Sequence, residues 1–417
     1  MSIALVIAIA GAVFLVLGYV LMLLGLFKYV RTAWRRWIRK IPEDEPATKG
    51  DVERILDEIA RATAAPGTPQ PDTAELAAEA TADTEEKLRE ADEFVHEGRY
   101  KDAIEHVRSA YDRELPPQAR AQLYLIEGNA YLYLSEYGVA EAHFNDVLRI
   151  AVETRARDLE SKALGSLGIV FKRRGDWARA EEYLRRGLDI DEEIGRRGGA
   201  ARTLGNLGTL YSDRGDLDRA EEYLQRALDL NVELGRKKGQ ARQLGNLGIV
   251  LAKRGDFDKA ENQFHQALSL FAEIGDRLGQ ASQLGNMGLL YKERGDLRRA
   301  EESLGRALEI DEEIGHKLGQ TEDLSNLGRV HWERGDVKRA EEYDRRALEI
   351  AEEIGYRFGQ AQILANLGEE LIKRGDLGGA EAHLRRALVV AEEVGVRPLA
   401  SKIRRRLEGL KENQDND

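Results

Sequence analysis

Residues 201–240 decide the fold, and they read ARTLGNLGTLYSDRGDLDRAEEYLQRALDLNVELGRKKGQ. Leu204 and Leu207 begin an apolar series at the three- and four-residue spacing of one helix face. Gly215 predicts the end of that helix, because glycine readily adopts the left-handed conformation at a C-terminal cap. Asp216 suits the N-cap of a second helix, since its side chain can accept a hydrogen bond from a free backbone N–H.

The second helix of this stretch carries its own apolar face, which includes Ala220, Leu224 and Ala227. Gly235 closes this helix in the same way as the first. Small residues at Gly208 and Ala220 allow the two helices to cross closely. The stretch therefore predicts a helical hairpin packed through its apolar faces.

The same pattern recurs along the chain with a fixed period. The tract Leu-Gly-Asn-Leu-Gly begins at Leu204 and Leu244, and variants keep its register elsewhere. A period of this size is typical of repeat proteins, whose stacked units share one core because a single unit cannot bury its own apolar face. The tripeptide Arg-Gly-Asp recurs every 40 residues, beginning at Arg174, Arg214, Arg254, Arg294, Arg334 and Arg374.

These units resemble the tetratricopeptide repeat. The resemblance rests on the Leu-Gly pair at Leu207, the Tyr three residues after that Gly, and the Ala and large apolar residue downstream. It covers about residues 85–396, but the period is 40 residues where about 34 is usual, and the Pro after the second helix is missing. The longer unit is similar to the repeats of spindle-orientation adaptors and, more loosely, of kinesin light chain, which are peptide-binding scaffolds.

The resemblance implies an all-α fold. We predict a right-handed superhelical α-solenoid of about eight helix pairs in residues 85–396, preceded by one transmembrane helix. Residues 397–417 predict a capping helix and a disordered tail, and Arg404, Arg405 and Arg406 on the outer face of that helix favour a solvating role. Its apolar face is outlined by Leu399, Ile403, Leu407 and Leu410.

Residues 1–41 predict a membrane anchor and its basic flank. Ile3 to Phe27 carry no charged side chain, and these 25 residues in a helix span roughly 37 Å against a hydrocarbon core of about 30 Å. A cleaved signal peptide is the rival interpretation, but the start is uncharged and the apolar core is too long for one. We therefore expect one uncleaved transmembrane helix.

The residues after this span predict its orientation. Met1 and Ser2 precede the span without side-chain charge, whereas basic residues follow it, so the positive-inside tendency places the N-terminus outside and the repeats in the cytoplasm. Interleaved aromatic and basic side chains are expected at the headgroup level, where a site for anionic lipid is the alternative to a plain stop-transfer flank. The predicted interface residues are Lys28, Arg31, Trp34, Arg35, Arg36, Trp37, Arg39 and Lys40.

Residues 42–84 predict a flexible, acidic linker rich in Pro and Ala. Five of the eight prolines lie here, which is typical of a tether that sets reach. Within it, Val52, Ile55, Leu56 and Ile59 keep helical spacing, so a short amphipathic helix can form. The array, the membrane and a partner are all open as surfaces for it.

Composition and motifs exclude several classes of function. The net charge of −12 argues against nucleic acid as a partner, because phosphate backbones attract a clustered positive face. The absence of cysteine excludes disulfides, thiolate metal sites and a Cys nucleophile. Phosphate-binding, zinc-protease and serine-hydrolase motifs are absent, and the seven histidines are scattered without ligand spacing. We expect no enzyme, no metal and no cofactor.

The resemblance places the candidate binding residues on the first helix of each unit, which lines the concave surface in repeats of this kind. A ladder of Asn residues at the sixth position can hydrogen-bond the backbone of an extended peptide, although each Asn could instead bond the neighbouring repeat. The predicted peptide-binding residues are Asn206, Asn246, Asn286, Asn326, Asn366, Arg202, Arg242, Lys172, Arg329 and Trp332.

Charge along this surface is uneven. The earlier half is basic, through residues such as Arg173 and Lys253, and the later half tilts acidic, through Glu322 and Glu369 among others. A partner with one acidic and one basic end would suit this polarity, and ordinary solvated helix surface is the alternative.

The seventh unit departs from its siblings. His331 replaces the usual Tyr and Asp344 replaces a packing Leu. Because unpaired burial of a carboxylate is costly, we predict a contact between His331 and Asp344. Trp332 is the better ligand candidate, since exposed aromatic residues are enriched at binding hot spots.

These observations favour a membrane-anchored scaffold that binds a protein or peptide in the concave groove of the array. The alternative is a structural or assembly subunit of a larger membrane complex, contacting it through repeat edges and the transmembrane helix. Homo-oligomerisation is also open.

Overall fold

The computed structural model describes residues 86–95, 98–110 and 115–414, and over these residues the fold is all-α with no strand. Connections between helices are short, two or three residues in most turns. The helices are α1 (86–95), α2 (Tyr100–Ala110), α3 (Pro117–Tyr133), α4 (Tyr137–Glu153), α5 (Arg157–Arg173), α6 (Trp177–Glu193), α7 (Arg197–Arg214), α8 (Leu217–Glu233), α9 (Lys237–Arg254), α10 (Phe257–Glu273), α11 (Arg277–Glu293), α12 (Leu297–Glu313), α13 (Lys317–Glu333), α14 (Val337–Ile354), α15 (Arg357–Arg374), α16 (Leu377–Glu393) and α17 (Arg397–Gln414).

The helices form eight successive pairs, α1/α2 to α15/α16, followed by α17, as the solenoid prediction requires. Each helix packs on the next one along the chain from α2 onward, and the first helices of successive units also touch, α3 on α5 and so on to α13 on α15. First helices therefore make the inner layer of the array and second helices the outer layer.

Local chemistry explains where the helices of one unit begin and end. Gly215 has a φ of +88°, the left-handed conformation predicted for it, and it follows the last residue of α7. Asp216 then accepts a hydrogen bond from the N–H of Arg219 at 3.2 Å, which caps α8. Both roles recur at most copies of the Arg-Gly-Asp turn.

Glycine on the first helix allows the close crossing within a pair. A Cβ built on Gly208 would lie 2.5 Å from Cγ of Leu224, and one on Gly248 would lie 2.6 Å from Cε1 of Phe264. These large side chains therefore fill space that only glycine leaves open. Leu224 and Phe264 are both buried, each in the apolar cluster of its own unit and the next.

The Arg of each Arg-Gly-Asp turn links one unit to the one before it. Arg174 pairs with Glu141 at 2.7 Å, for example, and the same offset of 33 residues recurs in every later copy. These pairs are partly exposed, so each contributes little by itself. The remaining pairs are Arg214–Glu181, Arg254–Glu221, Arg294–Glu261, Arg334–Glu301 and Arg374–Glu341.

The array curves until its first units meet its last ones, which the sequence analysis did not anticipate. Lys101 Nζ on α2 donates a hydrogen bond to the backbone oxygen of Glu353 at 2.8 Å, across 252 residues. Leu318 packs on an apolar cluster that includes Tyr100 and Leu134. The inner surface is therefore enclosed by about one turn of the solenoid.

Helix α17 packs on the last pair, where Ile403 and Leu410 are buried. Its arginines are more than a solvating face, however. Arg404 pairs with Glu392 at 2.6 Å, and Arg406 pairs with Glu369 on the inner side of α15.

The predicted anchor (1–41), interface residues and linker (42–84) lie outside the described residues and stay predictions. Among the helices that the structure describes, none is long and apolar enough to cross a membrane.

Candidate functional site

The asparagine ladder lies on the inner layer, one Asn on each first helix from α7 to α15. Asn206, Asn246, Asn286 and Asn326 are half-buried, so part of each side chain faces the enclosed surface. Asn366 is 9% exposed and lies deeper. The fold thus presents the amides in a row, one per unit.

Hydrogen bonding divides the ladder into three groups. Asn366 Nδ2 donates to Ser325 Oγ of the preceding unit at 3.4 Å, which is the neighbour contact of the alternative interpretation. Asn246 Nδ2 reaches only Gln243 on its own helix, at 3.4 Å. Within the described part of the chain, the side chains of three ladder members make no hydrogen bond to protein, and these are Asn206, Asn286 and Asn326.

The first glycine of each Leu-Gly-Asn-Leu-Gly tract contacts a side chain of the following unit. The Gln243 side chain packs on Gly205 of the preceding unit, where a built Cβ would lie 2.8 Å from its amide. Gln283 packs in the same way on Gly245. These glycines let successive first helices approach closely. This role was not predicted from the sequence, although the presence of two glycines in the tract indicates it.

Two lysines of the basic half are already paired within the protein. Lys172 Nζ donates to Thr209 Oγ1 at 3.1 Å and to Asp213 at 3.2 Å. Burial lowers the pKa of Lys172, and the Asp213 carboxylate opposes that shift. Lys253 Nζ donates to the backbone oxygen and hydroxyl of Ser212, both at 3.0 Å. Unit four therefore ties both lysines to its own polar groups.

The two predicted arginines of this half differ from the lysines. Among the described residues, no carboxylate lies within ion-pair distance of Arg202 or Arg242. Burial lowers the pKa of Arg202, and the neighbouring guanidinium groups of Arg196, Arg242 and Arg236 lower it further. The Asp191 carboxylate opposes the shift of the Arg202 pKa, and Arg242 helps to lower the pKa of Asp276, so both arginines feel a carboxylate beyond ion-pair distance.

Two glutamates of the acidic half, Glu322 and Glu369, have partners within the protein. The Tyr356 hydroxyl donates to Glu322 at 3.3 Å, and burial raises the pKa of Glu322 while Arg173 opposes the shift. Glu369 is held by Lys402 at 3.8 Å and by Arg406, both from α17. Glu293 and Glu333 of the same half are exposed and form no ion pair within the described residues.

Trp332 and Arg329 lie half-buried on α13. The ammonium of Lys373, one unit later, lies 5.1 Å from the Trp332 ring centroid, in a cation–π contact. Trp332 is thus held in place by its neighbour while part of its surface stays accessible.

The predicted contact between His331 and Asp344 is wrong as a hydrogen bond. His331 instead lies 3.3 Å from Glu301 and stacks on Tyr343 at 5.2 Å. Asp344 packs against Gly328 and faces Glu370 of the next unit. The physical reason is that the charged group nearest to each side chain comes from a neighbouring unit, Glu301 for His331 and Glu370 for Asp344, which spacing within one unit does not reveal.

Family comparison agrees with this geometry. The profile described as the tetratricopeptide repeat matches residues 119–193, 159–231, 240–313 and 321–393, and a second profile of the same description matches 206–272 and 286–353. The chain belongs to the tetratricopeptide repeat family. The tetratricopeptide resemblance stated from the sequence is confirmed, whereas the comparisons lend no support to the likeness to kinesin light chain.

Solved structures show the same fold at low identity. A Rap protein complexed with Competence and Sporulation Factor has a TM-score of 0.50 at 16% identity, covering 80% of this chain and 99% of its own. The Rap conjugation gene regulator of plasmid pLS20, in complex with the Phr* peptide, has a TM-score of 0.54 at 15% identity, covering 78% and 93%. The Cut9-Hcn1 hetero-tetramer of APC/C has a TM-score of 0.51 at 14% identity, covering 85% and 59%.

A search of curated proteins finds no significant match. In the described residues, no group of His, Cys, Asp and Glu is arranged to hold a metal ion.

Proposed function

We propose that this protein is a scaffold that binds a polypeptide partner on the enclosed inner surface of its repeat array. The observation that carries the proposal is the row of half-buried inner amides, three of which have no hydrogen-bonding partner in the described chain. A carboxamide offers both a donor and an acceptor, so a regular row of them suits the backbone of an extended peptide. Binding, rather than catalysis, is the chemistry that such a row supports.

Two of the similar structures support the same conclusion by analogy of fold. Each contains a Rap protein with a bound partner, Competence and Sporulation Factor in one and the Phr* peptide in the other. Because the identities are 16% and 15%, we take from them only that this architecture can enclose a peptide.

We further propose that the N-terminal segment holds the scaffold at a membrane, with the array on the cytoplasmic side. The uncharged stretch from Ile3 to Phe27 and the basic residues after it support this arrangement. A subunit of a membrane complex is the second candidate, since exposed apolar side chains such as Val152 and Val232, both 56% exposed, lie on second helices.

An affinity capture from native membranes tests the groove. The wild-type chain is compared with Asn206→Ala/Asn286→Ala/Asn326→Ala, which removes the three unpartnered amides. We expect specific partners to be lost, because backbone hydrogen bonds from the ladder disappear while the fold stays intact by circular dichroism. Retention of the same partners would favour the complex-subunit candidate instead.

Asn366→Ala is the matched control for that capture. Its side chain bonds Ser325 within the protein, so its removal should leave partner binding largely unchanged. Equal loss of partners with this control would show that the amides act through the fold and not through a ligand.

A further inference from the structure

A basic cavity lies at the boundary between units four and five. Its volume is about 510 Å³, and it opens where α7 and α9 begin. No carboxylate side chain lines it. The cationic lining consists of Arg202, Arg236, Lys237, Lys238 and Arg242.

Two of these five cations are neutralised by the protein itself. Lys237 pairs with Glu273, and Lys238 pairs with Asp276 at 2.9 Å. The three guanidinium groups have no such partner in the described chain. Arg236 donates only to the backbone oxygen of Gly198, at 3.1 Å.

The boundary between units three and four contains two ion pairs that the basic cavity lacks. There, Arg196 pairs with Asp191 at 2.9 Å and Lys162 pairs with Asp158 at 3.5 Å. One repeat later, 40 residues along, Arg236 and Arg202 occupy the positions of these two cations. The corresponding carboxylates are replaced, Asp191 by Asn231 and Asp158 by Gly198. The basic cavity therefore has cations at the same two repeat positions as the preceding boundary, but it has neither of the carboxylates that pair with them there.

The following boundary shows that this arrangement is local. Asp276 occupies the position of Arg236, and it caps α11 by accepting from the N–H of Gly279 at 2.9 Å. Ser282 occupies the position of Arg242. Three guanidinium groups that have no ion-pair partner in the described residues therefore meet at the boundary between units four and five.

We propose that the basic cavity binds a phosphoryl group on the polypeptide partner, a phosphoserine or phosphothreonine side chain. This inference rests on the proposed function, since it assigns the chemistry of the partner that the inner surface holds. A phosphoryl group brings up to two negative charges, which matches the two missing carboxylates. Its three oxygens accept from the planar forks of three arginines, which bind such groups in a bidentate manner.

Repulsion among the arginines supports the same assignment. Burial lowers the pKa of Arg202, and the Arg242 and Arg236 guanidinium groups of the same cavity lower it further although Asp191 opposes the shift, so the unliganded cavity holds like-charge contacts. A bound dianion relieves these contacts. A single carboxylate from a partner Asp or Glu neutralises less of this charge and offers one oxygen fewer.

Fluorescence anisotropy with the full-length chain tests the proposal. The probe is a fluorescein-labelled Gly-Ser peptide with one phosphoserine, compared with its unphosphorylated and Glu-substituted forms. We expect the phosphopeptide to bind most tightly and inorganic phosphate to displace it. Arg202→Gln/Arg236→Gln/Arg242→Gln should weaken its binding roughly tenfold or more, as expected for the loss of charge-assisted hydrogen bonds.

The matched control removes the same charge elsewhere. Arg186, Arg226 and Arg306 are exposed arginines on second helices, and Arg186→Gln/Arg226→Gln/Arg306→Gln should leave phosphopeptide binding within about twofold. Equal weakening in both variants, or no weakening in the cavity variant, would overturn the proposal. Preference for the Glu peptide, or binding only to vesicles that contain phosphatidic acid, would overturn it as well.

The ladder variant separates this inference from the proposed function. If Asn206→Ala/Asn286→Ala/Asn326→Ala keeps the phosphopeptide while losing native partners, the cavity and the groove act independently and both assignments stand. If the ladder variant keeps native partners but the cavity variant loses the phosphopeptide, the cavity stands and the ladder's role fails.

Discussion

At the scale of single residues, the seventh unit holds a buried pair of acids. Asp344 is 0% exposed and Glu370 is 3% exposed, and the equivalent positions in other units carry apolar residues such as Leu304 and Val330. Burial and the adjacent Glu370 raise the pKa of Asp344 well above its usual range. Burial likewise raises the pKa of Glu370 to about 7. One proton shared between the two carboxyl groups keeps the pair from holding two charges.

The pair predicts an unusual dependence of stability on pH. Because the folded-state pKa of each acid is raised above its unfolded value of about 4, folding takes up protons, and this contribution is lost as pH rises through about 7. Asp344→Leu/Glu370→Val restores the repeat residues and should stabilise the array at about pH 8 by roughly 1–4 kcal/mol. Thermal unfolding followed by circular dichroism at about pH 5.5 and about pH 8 measures this. A wild type equally stable at both pH values would contradict the account.

Single residues also show which contacts the sequence does not predict. The 40-residue period identifies Asp344 as an exception, because its siblings are visible at the same register. The period marks Glu370 as an exception too, but the pairing of the two acids is not predictable, because Glu370 comes from the next unit and the contact depends on how two units stack.

At the scale of elements, the turn within a unit follows from local chemistry, so the sequence predicts it well. Gly215 and Asp216 act as expected because a left-handed residue and an N-cap need only their immediate neighbours. The turn between units carries varied residues, such as Arg196 and Tyr356, at the N-cap, and neither side chain caps its helix. A left-handed Gly, such as Gly195 or Gly355, recurs in these turns, so the helix end follows from local chemistry while the N-cap side chain varies.

Two matched caps give a prediction for the helices. Asp216 accepts from a backbone N–H, whereas Asp256, the equivalent N-cap of α10, makes no side-chain capping bond. Each also pairs with a cation three residues later, Arg219 and Lys259, so the same charge is removed in both cases. Asp216→Ala should therefore cost about 1 kcal/mol in chemical denaturation and Asp256→Ala clearly less. Equal costs would show that capping at this turn is not what stabilises the second helix.

At the scale of the whole molecule, the array closes on itself. Small rotations between units add up over about six repeats before Lys101 reaches Glu353. No motif in either segment encodes that contact, because it depends on the accumulated pitch of all the units between them. The position of the ladder on the first helices, by contrast, is what the tetratricopeptide resemblance implies, because each Asn keeps the same register in its unit. The basic cavity likewise depends on several units, because it arises from residue differences between successive unit boundaries.

Cysteine cross-linking tests the closure. The chain contains no cysteine, so a Lys101→Cys/Glu353→Cys pair reacts without interference. A short bismaleimide should join this pair efficiently. Lys101→Cys/Glu273→Cys is the control, because residue 273 is the equivalent position two units earlier. Similar yields for both pairs would mean that the first units do not meet the last ones in solution.

The most direct measurement of the central claim is photo-cross-linking from the two layers of the array. A benzophenone amino acid is placed at Ile249, half-buried on the inner layer, or at Val232, 56% exposed on a second helix, and native membranes supply the partner. The account predicts partner adducts from position 249 and few or none from position 232. Adducts from position 232 alone would contradict it and place the interface on the outer layer.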